Sequence, residues 1–203
     1  MDPRWTALLD AARAAHEATP ELRAFCPFPT ELREQPGDPR PDPLSVTLQE
    51  APGATTSPWQ GFRDAASAAG PIARWRDTYR HTAIGEELHR HFGCFELLGQ
   101  DAPFGAKDMR GFLVYQRPGY HYPPHHHPAE ELYLVIAGEA EFHLDGHAPR
   151  RLGPGESVFH PSGVPHALTT HESPVLTWVL WRGEMETRPV FSPAFSDQQA
   201  SPR

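Results

Sequence analysis

The chain reads as a mainly β protein: an antiparallel barrel preceded by a helical, proline-rich region. Three observations predict this. The spacing of apolar residues changes from helical to alternating after Gly93, short runs rich in β-branched and aromatic residues then follow closely, and Gly and Pro punctuate them. No helical pattern interrupts those runs up to about residue 190, which favours an antiparallel barrel or sandwich over alternating strands and helices.

Trp5, Leu8, Leu9, Ala12 and Ala15 fall at helical spacing and predict an amphipathic helix over 4–18, ending before Pro20. Nine prolines lie between Pro20 and Pro58, and each removes a backbone donor and restrains its neighbour. That stretch is expected to be coil laid on the surface, or a linker. Helical character returns over 58–92, with Trp59, Phe62, Ile72, Trp75, Tyr79, Ile84, Leu88 and Phe92 as apolar positions. Ile72, Trp75 and Tyr79 are spaced to share one helical face, and Pro71 is placed to open the second of two helices. Strands are expected at 94–98, 111–115, 131–136, 140–144, 156–160, 166–169 and 175–181, with Asp145-Gly146 as a hairpin turn. The expected division is a helical and proline-rich region over 1–92 packing on the barrel, the barrel itself over 93–190, and a flexible tail over 191–203.

Composition narrows the function classes. Lys+Arg total 18 against 26 Asp+Glu, a formal charge of −8, which argues against a basic nucleic-acid surface or a polybasic membrane anchor. Hydrophobic residues make up 38%, enough for a core, yet no run approaches the roughly 18 apolar residues of a spanning helix. The opening Met-Asp-Pro-Arg-Trp lacks the order of a secretory signal. Cys26 and Cys94 form neither a disulfide framework nor a Cys-rich metal module. The expectation is a cytoplasmic protein, monomer or homodimer, with no nucleic-acid or membrane partner.

Histidine is the anomaly: 13 in all, nine of them between His121 and His171. In an extended strand His125 and His127 point to one side while His126 points away. Glu131 can return to that side after a bend at Pro128-Ala129. Downstream, Pro161 and Gly163 build a turn that delivers His166. Three imidazoles and one carboxylate suit a single divalent transition metal, and mixed nitrogen and oxygen ligation leaves Zn, Fe, Mn, Co or Ni open. His121 and His160 lie close to the cluster in sequence and are candidate pocket residues. Glu130 should face away from Glu131 as support.

Tyr133 follows Glu131 by two, so it shares the cavity side of its strand. A phenol beside a divalent cation loses its proton more readily and could act as a base or a fifth ligand; an ordinary core tyrosine is the alternative. Tyr122 sits at the mouth of the site. Trp178 and Trp181 fall on opposite faces of the last long strand, so at most one lines the pocket, and Trp178 is taken as the candidate.

Gly119, His125, His127, Glu131 and Gly138, with Gly155, Pro161, Gly163 and His166, resemble the two motifs of the cupin superfamily, G-x5-H-x-H-x3-E-x6-G and G-x5-P-x-G-x2-H-x3-N. Thr170 is the one departure, at a position that is not a metal ligand in that family. The segments 122–133, 137–143 and 165–171, then Trp181-Arg182, with Ala102-Pro-Phe and Met109-Arg-Gly-Phe112 upstream, resemble the bacterial cupin-type dimethylsulfoniopropionate lyases, the Q type in particular. That resemblance spans about 58–183. It implies a cupin barrel behind an α-helical N-terminal extension, a metal held by His125, His127, Glu131 and His166, Tyr133 as catalytic base and Tyr122 as a mobile substrate-site tyrosine. The implied reaction is β-elimination of a small zwitterionic sulfonium substrate, dimethylsulfoniopropionate, to dimethyl sulfide and acrylate. Tyr122 or Trp178 would hold the sulfonium by cation–π attraction in a pocket otherwise poor in positive charge. An Fe(II)-dependent cupin dioxygenase, or a non-catalytic small-molecule-binding cupin, would use the same scaffold.

Overall fold

A computed structural model of the chain describes residues 1–35, 37–50, 58–76, 79 and 84–193. Helix α1 (Pro3–Ala18) starts on Asp2, whose carboxylate accepts the Arg4 backbone N–H at 2.9 Å, and it buries Trp5, Leu8, Leu9, Ala12 and Ala15. The proline-rich stretch is more regular than expected. It contains α2 (Pro20–Phe25), a two-residue strand β1 (Arg33–Glu34) and α3 (Leu44–Glu50). Its prolines sit where helices tolerate them. Pro20 occupies the first turn of α2, where an N–H has no helical partner, and Pro43 precedes α3, whose Leu44 N–H is taken by the Asp42 carboxylate at 2.9 Å.

Helix α4 (Gln60–Ala69) runs into a 3-10 turn at Gly70–Ile72. Pro71 therefore lies in the turn that closes a helix rather than opening one. The chain is extended at Arg74 and Trp75, which bridge to Arg40 and Phe95, so Trp75 and Tyr79 do not share a helical face with Ile72. Helix α5 (Gly85–His91) follows.

The strands are β2 (Phe92–Leu98), β3 (Phe104–Gly105), β4 (Arg110–Gln116), β5 (His121–His126), β6 (Glu130–Gly138), β7 (Ala140–Leu144), β8 (Arg150–Leu152), β9 (Ser157–His160), β10 (His166–Thr169), β11 (Val175–Arg182) and β12 (Val190–Phe191). They form a seven-stranded sheet in the order β1-β3-β2-β4-β11-β6-β9 and a five-stranded sheet in the order β12-β5-β10-β7-β8. Val190 and Phe191 pair with His126 and His125, so the C-terminal segment begins as a sheet edge; residues 194–203 lie outside the described residues.

Parity divides the large sheet between two cores. Leu132, Leu134 and Ile136 of β6, with Leu176, Trp178 and Leu180 of β11, face the N-terminal helices. Tyr133 and Val135, with Val175, Val179 and Trp181, face the space between the sheets. Trp5 meets Phe95 edge-on at 6.2 Å and Phe62 meets Trp178 at 5.9 Å, which welds the helices to the outer face. A sheet covered on both sides explains why β6 reads as an almost unbroken apolar run. Among the described residues, no helix is long and apolar enough to cross a membrane.

Candidate metal centre and active site

The centre of the barrel is assembled from three strands and one turn. In β5, pairing with β10 passes from His125↔His166 to Tyr122↔Leu168, so three residues of β5 oppose two of β10. This bulge, at Pro123-Pro124, brings Tyr122 and His125 to the same interior side despite their odd separation. Their rings stack at 4.1 Å. Gly163, at φ +73°, shapes the turn before His166, and its N–H donates to the His127 carbonyl at 2.9 Å, tying the two motifs together.

Each of three imidazoles is oriented by a backbone carbonyl. Nδ1–H of His125 donates to Pro123 O at 2.9 Å, that of His127 to Ala129 O at 3.0 Å, and that of His166 to Val164 O at 2.9 Å. A carbonyl only accepts, so Nδ1 carries the proton and Nε2 of a neutral ring carries the lone pair. Glu131 divides its oxygens. Oε1 accepts the Trp181 indole N–H at 2.6 Å, while Oε2 lies 3.1 Å from His166 Nε2, 3.4 Å from His127 Nε2 and 3.2 Å from His160 Nδ1. Ligand atoms of His127, Glu131 and His166 lie within 4.8 Å of one another, and all three side chains are buried. His125 stands outside that tightest set but packs edge-on against His166 at 4.2 Å.

The donor set fits a divalent metal. Nε2 of His127 and of His166 are buried without a hydrogen-bond partner, an expense a fold rarely carries unless something else occupies those lone pairs. Electrostatics agree. Burial would raise the Glu131 pKa, but the surrounding imidazoles, His127 foremost, overcome it and hold the carboxyl well below its usual range. Burial drives His125 well below the ordinary histidine value, with His166 adding to the effect, so its ring is neutral and able to ligate.

Beside this group lies a small cavity of about 40 Å³, lined by Tyr122, Tyr133, Phe112, Trp181, Arg76 and Tyr79 among others. Tyr79 and Tyr122 share a hydrogen bond of 2.6 Å between their hydroxyls. Burial, and next the Glu131 carboxylate, push the Tyr133 phenol well above its usual pKa.

Several expectations need correction. Trp178 does not line the cavity: it lies on the helix-facing side of β11, fully buried against Phe62 and over Gly111. Trp181 takes the place assigned to it, because β11 pairs with β6 so that Trp181 opposes Glu131. His121 points to the outer face of the small sheet and is exposed, with Nδ1 2.8 Å from Thr169 Oγ1. His160 does not line the cavity either; it stacks on His166 at 4.3 Å and braces Glu131. Arg76 enters the cavity wall, its guanidinium 5.1 Å from the Phe112 ring centre, where little positive charge was expected. Tyr79 and Arg76 were missed as site residues, since their role depends on how the segment before the barrel folds back. His126 turns away to Ser192 at 2.7 Å, and Glu130 away to Arg182 at 2.7 Å. Thr170, in place of the motif's Asn, donates to Arg117 O at 2.5 Å and accepts from Gln116 at 3.1 Å, pinning the turn before β5.

A two-sheeted barrel with imidazoles and one carboxylate gathered at its centre is the architecture that the resemblance to the cupin motifs implies. The sequence pattern of the dimethylsulfoniopropionate lyases matches residues 39–177. The chain is 44% identical over 191 residues to dimethylsulfoniopropionate lyase DddQ of Ruegeria pomeroyi, covering 94% of this chain and 95% of that protein. The crystal structure of DddQ from that organism matches with a TM-score of 0.92 at 43% identity, over 95% of this chain and 98% of the other. A structure from the work on the lyases RdDddP and RnDddQII matches at 0.90 and 40% identity, over 94% and 98%. The chain belongs to the dimethylsulfoniopropionate lyase family, which makes it an enzyme of the carbon–sulfur lyase class.

Proposed function

We propose that the enzyme cleaves dimethylsulfoniopropionate to dimethyl sulfide and acrylate by metal-dependent β-elimination, with Tyr133 as the base. The observation that carries this reading is that Tyr133 lines one small cavity with His125, His127 and Glu131, two residues from Glu131 on the same strand. His125, His127, Glu131 and His166 would hold a divalent ion of the Zn, Fe, Mn, Co or Ni set, which supplies a Lewis acid for the substrate carboxylate and a positive charge that favours the Tyr133 phenolate.

Abstraction at Cα is the hard step, because charge develops beside an existing carboxylate. Tyr133 takes the Cα proton onto its phenolate oxygen. The Cα–H electron pair becomes the Cα=Cβ bond, the Cβ–S bond breaks with its pair going to sulfur, and dimethyl sulfide leaves neutral without acid assistance. Trp181, Phe112 and Tyr122 offer aromatic faces to the sulfonium, each worth about 0.5–2 kcal/mol. A volume of about 40 Å³ accommodates a few waters rather than the whole substrate, so the wall has to part on entry. Tyr122, the mouth residue, is the member to move, breaking its hydroxyl contact with Tyr79.

The test is Tyr133→Phe assayed with dimethylsulfoniopropionate. Substrate binding should survive, since the ring remains. The turnover number should fall by at least about 10²-fold, the lower end for a positioned general base. Wild type should yield headspace dimethyl sulfide and acrylate in equal amounts without oxygen uptake. Near-normal turnover in Tyr133→Phe would remove Tyr133 as base. Oxygen uptake with an oxidised product would favour the dioxygenase reading.

A further inference from the structure

The outer face of the five-stranded sheet, turned away from the cavity, gathers three histidines and a carboxylate that β-elimination does not use. Alternation places them there. On β7, Phe142 points into the core, so Glu141 and His143 point out; on β5, Tyr122 points in and His121 out. Register then brings them together: Thr169 of β10 sits between His121 on one side and Glu141 on the other, and His143 follows opposite Ala167. His171 continues the outward row two residues beyond Thr169.

The contacts are specific. His121 Nδ1 lies 2.8 Å and His143 Nε2 2.9 Å from the same Thr169 hydroxyl oxygen, with the two rings nearly perpendicular at 80°. His171 Nε2 lies 3.0 Å from Glu141 Oε2. Two imidazole nitrogens, from the strands that flank β10 on either side, thus converge on the Thr169 hydroxyl, with the Glu141–His171 pair on the same face. Both His121 and His143 titrate below the usual histidine value, chiefly through burial, so near pH 7 the rings are neutral and carry lone pairs.

We propose that this face is a second, surface metal site, taking a borderline divalent cation such as zinc, nickel or copper(II), with His121 and His143 as the protein ligands and water completing the shell. Imidazole is a donor such ions prefer, and two rings already held on one hydroxyl by strands on either side of β10 lose little freedom on chelation. The ion would sit where the Thr169 hydroxyl lies between the rings, which requires Thr169 to turn to another rotamer and the two rings to close on the ion to about 2.0–2.1 Å. One practical consequence is that whole-protein metal content counts this site together with the interior centre.

Equilibrium dialysis of the enzyme against zinc, followed by elemental analysis of total divalent metal, tests the proposal. Wild type should approach two ions per chain, the double variant His121→Ala/His143→Ala one, and His127→Ala, which damages the interior centre, also one. Copper(II) added to His127→Ala should give a spin-resonance spectrum with nitrogen coupling from imidazole, lost when His121 and His143 are also replaced. An unchanged thermal melt would show that the double variant is folded. Equal metal content in wild type and the folded double variant would overturn the site. So would an equal loss in His147→Ala, an exposed histidine outside the cluster.

Discussion

Replacing Trp181 by Phe isolates the support given to the Glu131 carboxylate. The indole N–H donates to Oε1 at 2.6 Å and leaves Oε2 turned toward the imidazoles. Phe keeps an aromatic ring where Trp181 packs on His127 at 4.3 Å but removes the donor. A hydrogen bond to a buried charge contributes about 1.5–3 kcal/mol, and losing it frees the carboxylate to rotate and raises its pKa. Metal affinity should therefore fall roughly 10- to 100-fold, the range for loss of a ligand's supporting partner. The assay is competition for zinc against a chromophoric chelator near pH 7. Trp178→Phe is the matched control: Trp178 is equally enclosed, but it faces the helices and its indole nitrogen has no hydrogen-bond partner among the described residues. It should lower stability by leaving a void against Phe62 and Gly111 while leaving zinc affinity unchanged. If Trp181→Phe bound zinc as tightly as Trp178→Phe does, the orienting role of the indole would be refuted.

Acid should destabilise the metal-free enzyme through His160, whose pKa is lowered from 6.5 to about 4, first by burial and then by His166. The unfolded chain binds this proton near pH 6.5 and the folded one only near 4, so stability is full above 6.5 and falls as pH drops through that window, by about 3 kcal/mol. Urea melts at pH 7 and pH 4.5 should show this slope reduced in His160→Gln, and parallel slopes would count against it. Gly138→Ala should be severely destabilising, because φ is +70° and a Cβ would collide with the Pro174 carbonyl oxygen. Gly119→Ala, at φ +71° with nothing within 4 Å, should cost only the strain of about 1–3 kcal/mol, so equal melting shifts in the two variants would refute the clash.

The two motifs were legible because their chemistry is local. A histidine pair two apart, a carboxylate four further on, and a proline–glycine turn before a last histidine carry their geometry in their spacing. The core strands were legible for a related reason: period-two spacing and turn residues act over a few positions. The proline-rich stretch misled because proline forbids a helix interior but welcomes a helix start, as at Pro20 and before Leu44. Strand β5 was expected to be extended only around His125–His127; its start at His121 was missed because Pro123-Pro124 lies within it and is accommodated as a bulge.

The choice between Trp178 and Trp181 shows where sequence stops. Alternation along β11 puts them on opposite faces, but which face meets the cavity depends on how β11 pairs with β6, and a one-residue slip would exchange them. Likewise, His160 becomes a brace for Glu131 because β9 pairs with β6 so that the two stand opposite, and Tyr79 reaches Tyr122 from a segment 43 residues away. By itself the sequence determined the class of fold, the imidazole and carboxylate types that meet at the centre of the barrel and the side of the strand that Tyr133 shares with Glu131, because these follow from periods of two and from turns a few residues long. Only the tertiary structure decided which aromatic holds the carboxylate, which histidines stay outside the cavity and which N-terminal residues close it. Those outcomes rest on register between strands distant in sequence, where packing of the whole barrel, not any local preference, selects the arrangement.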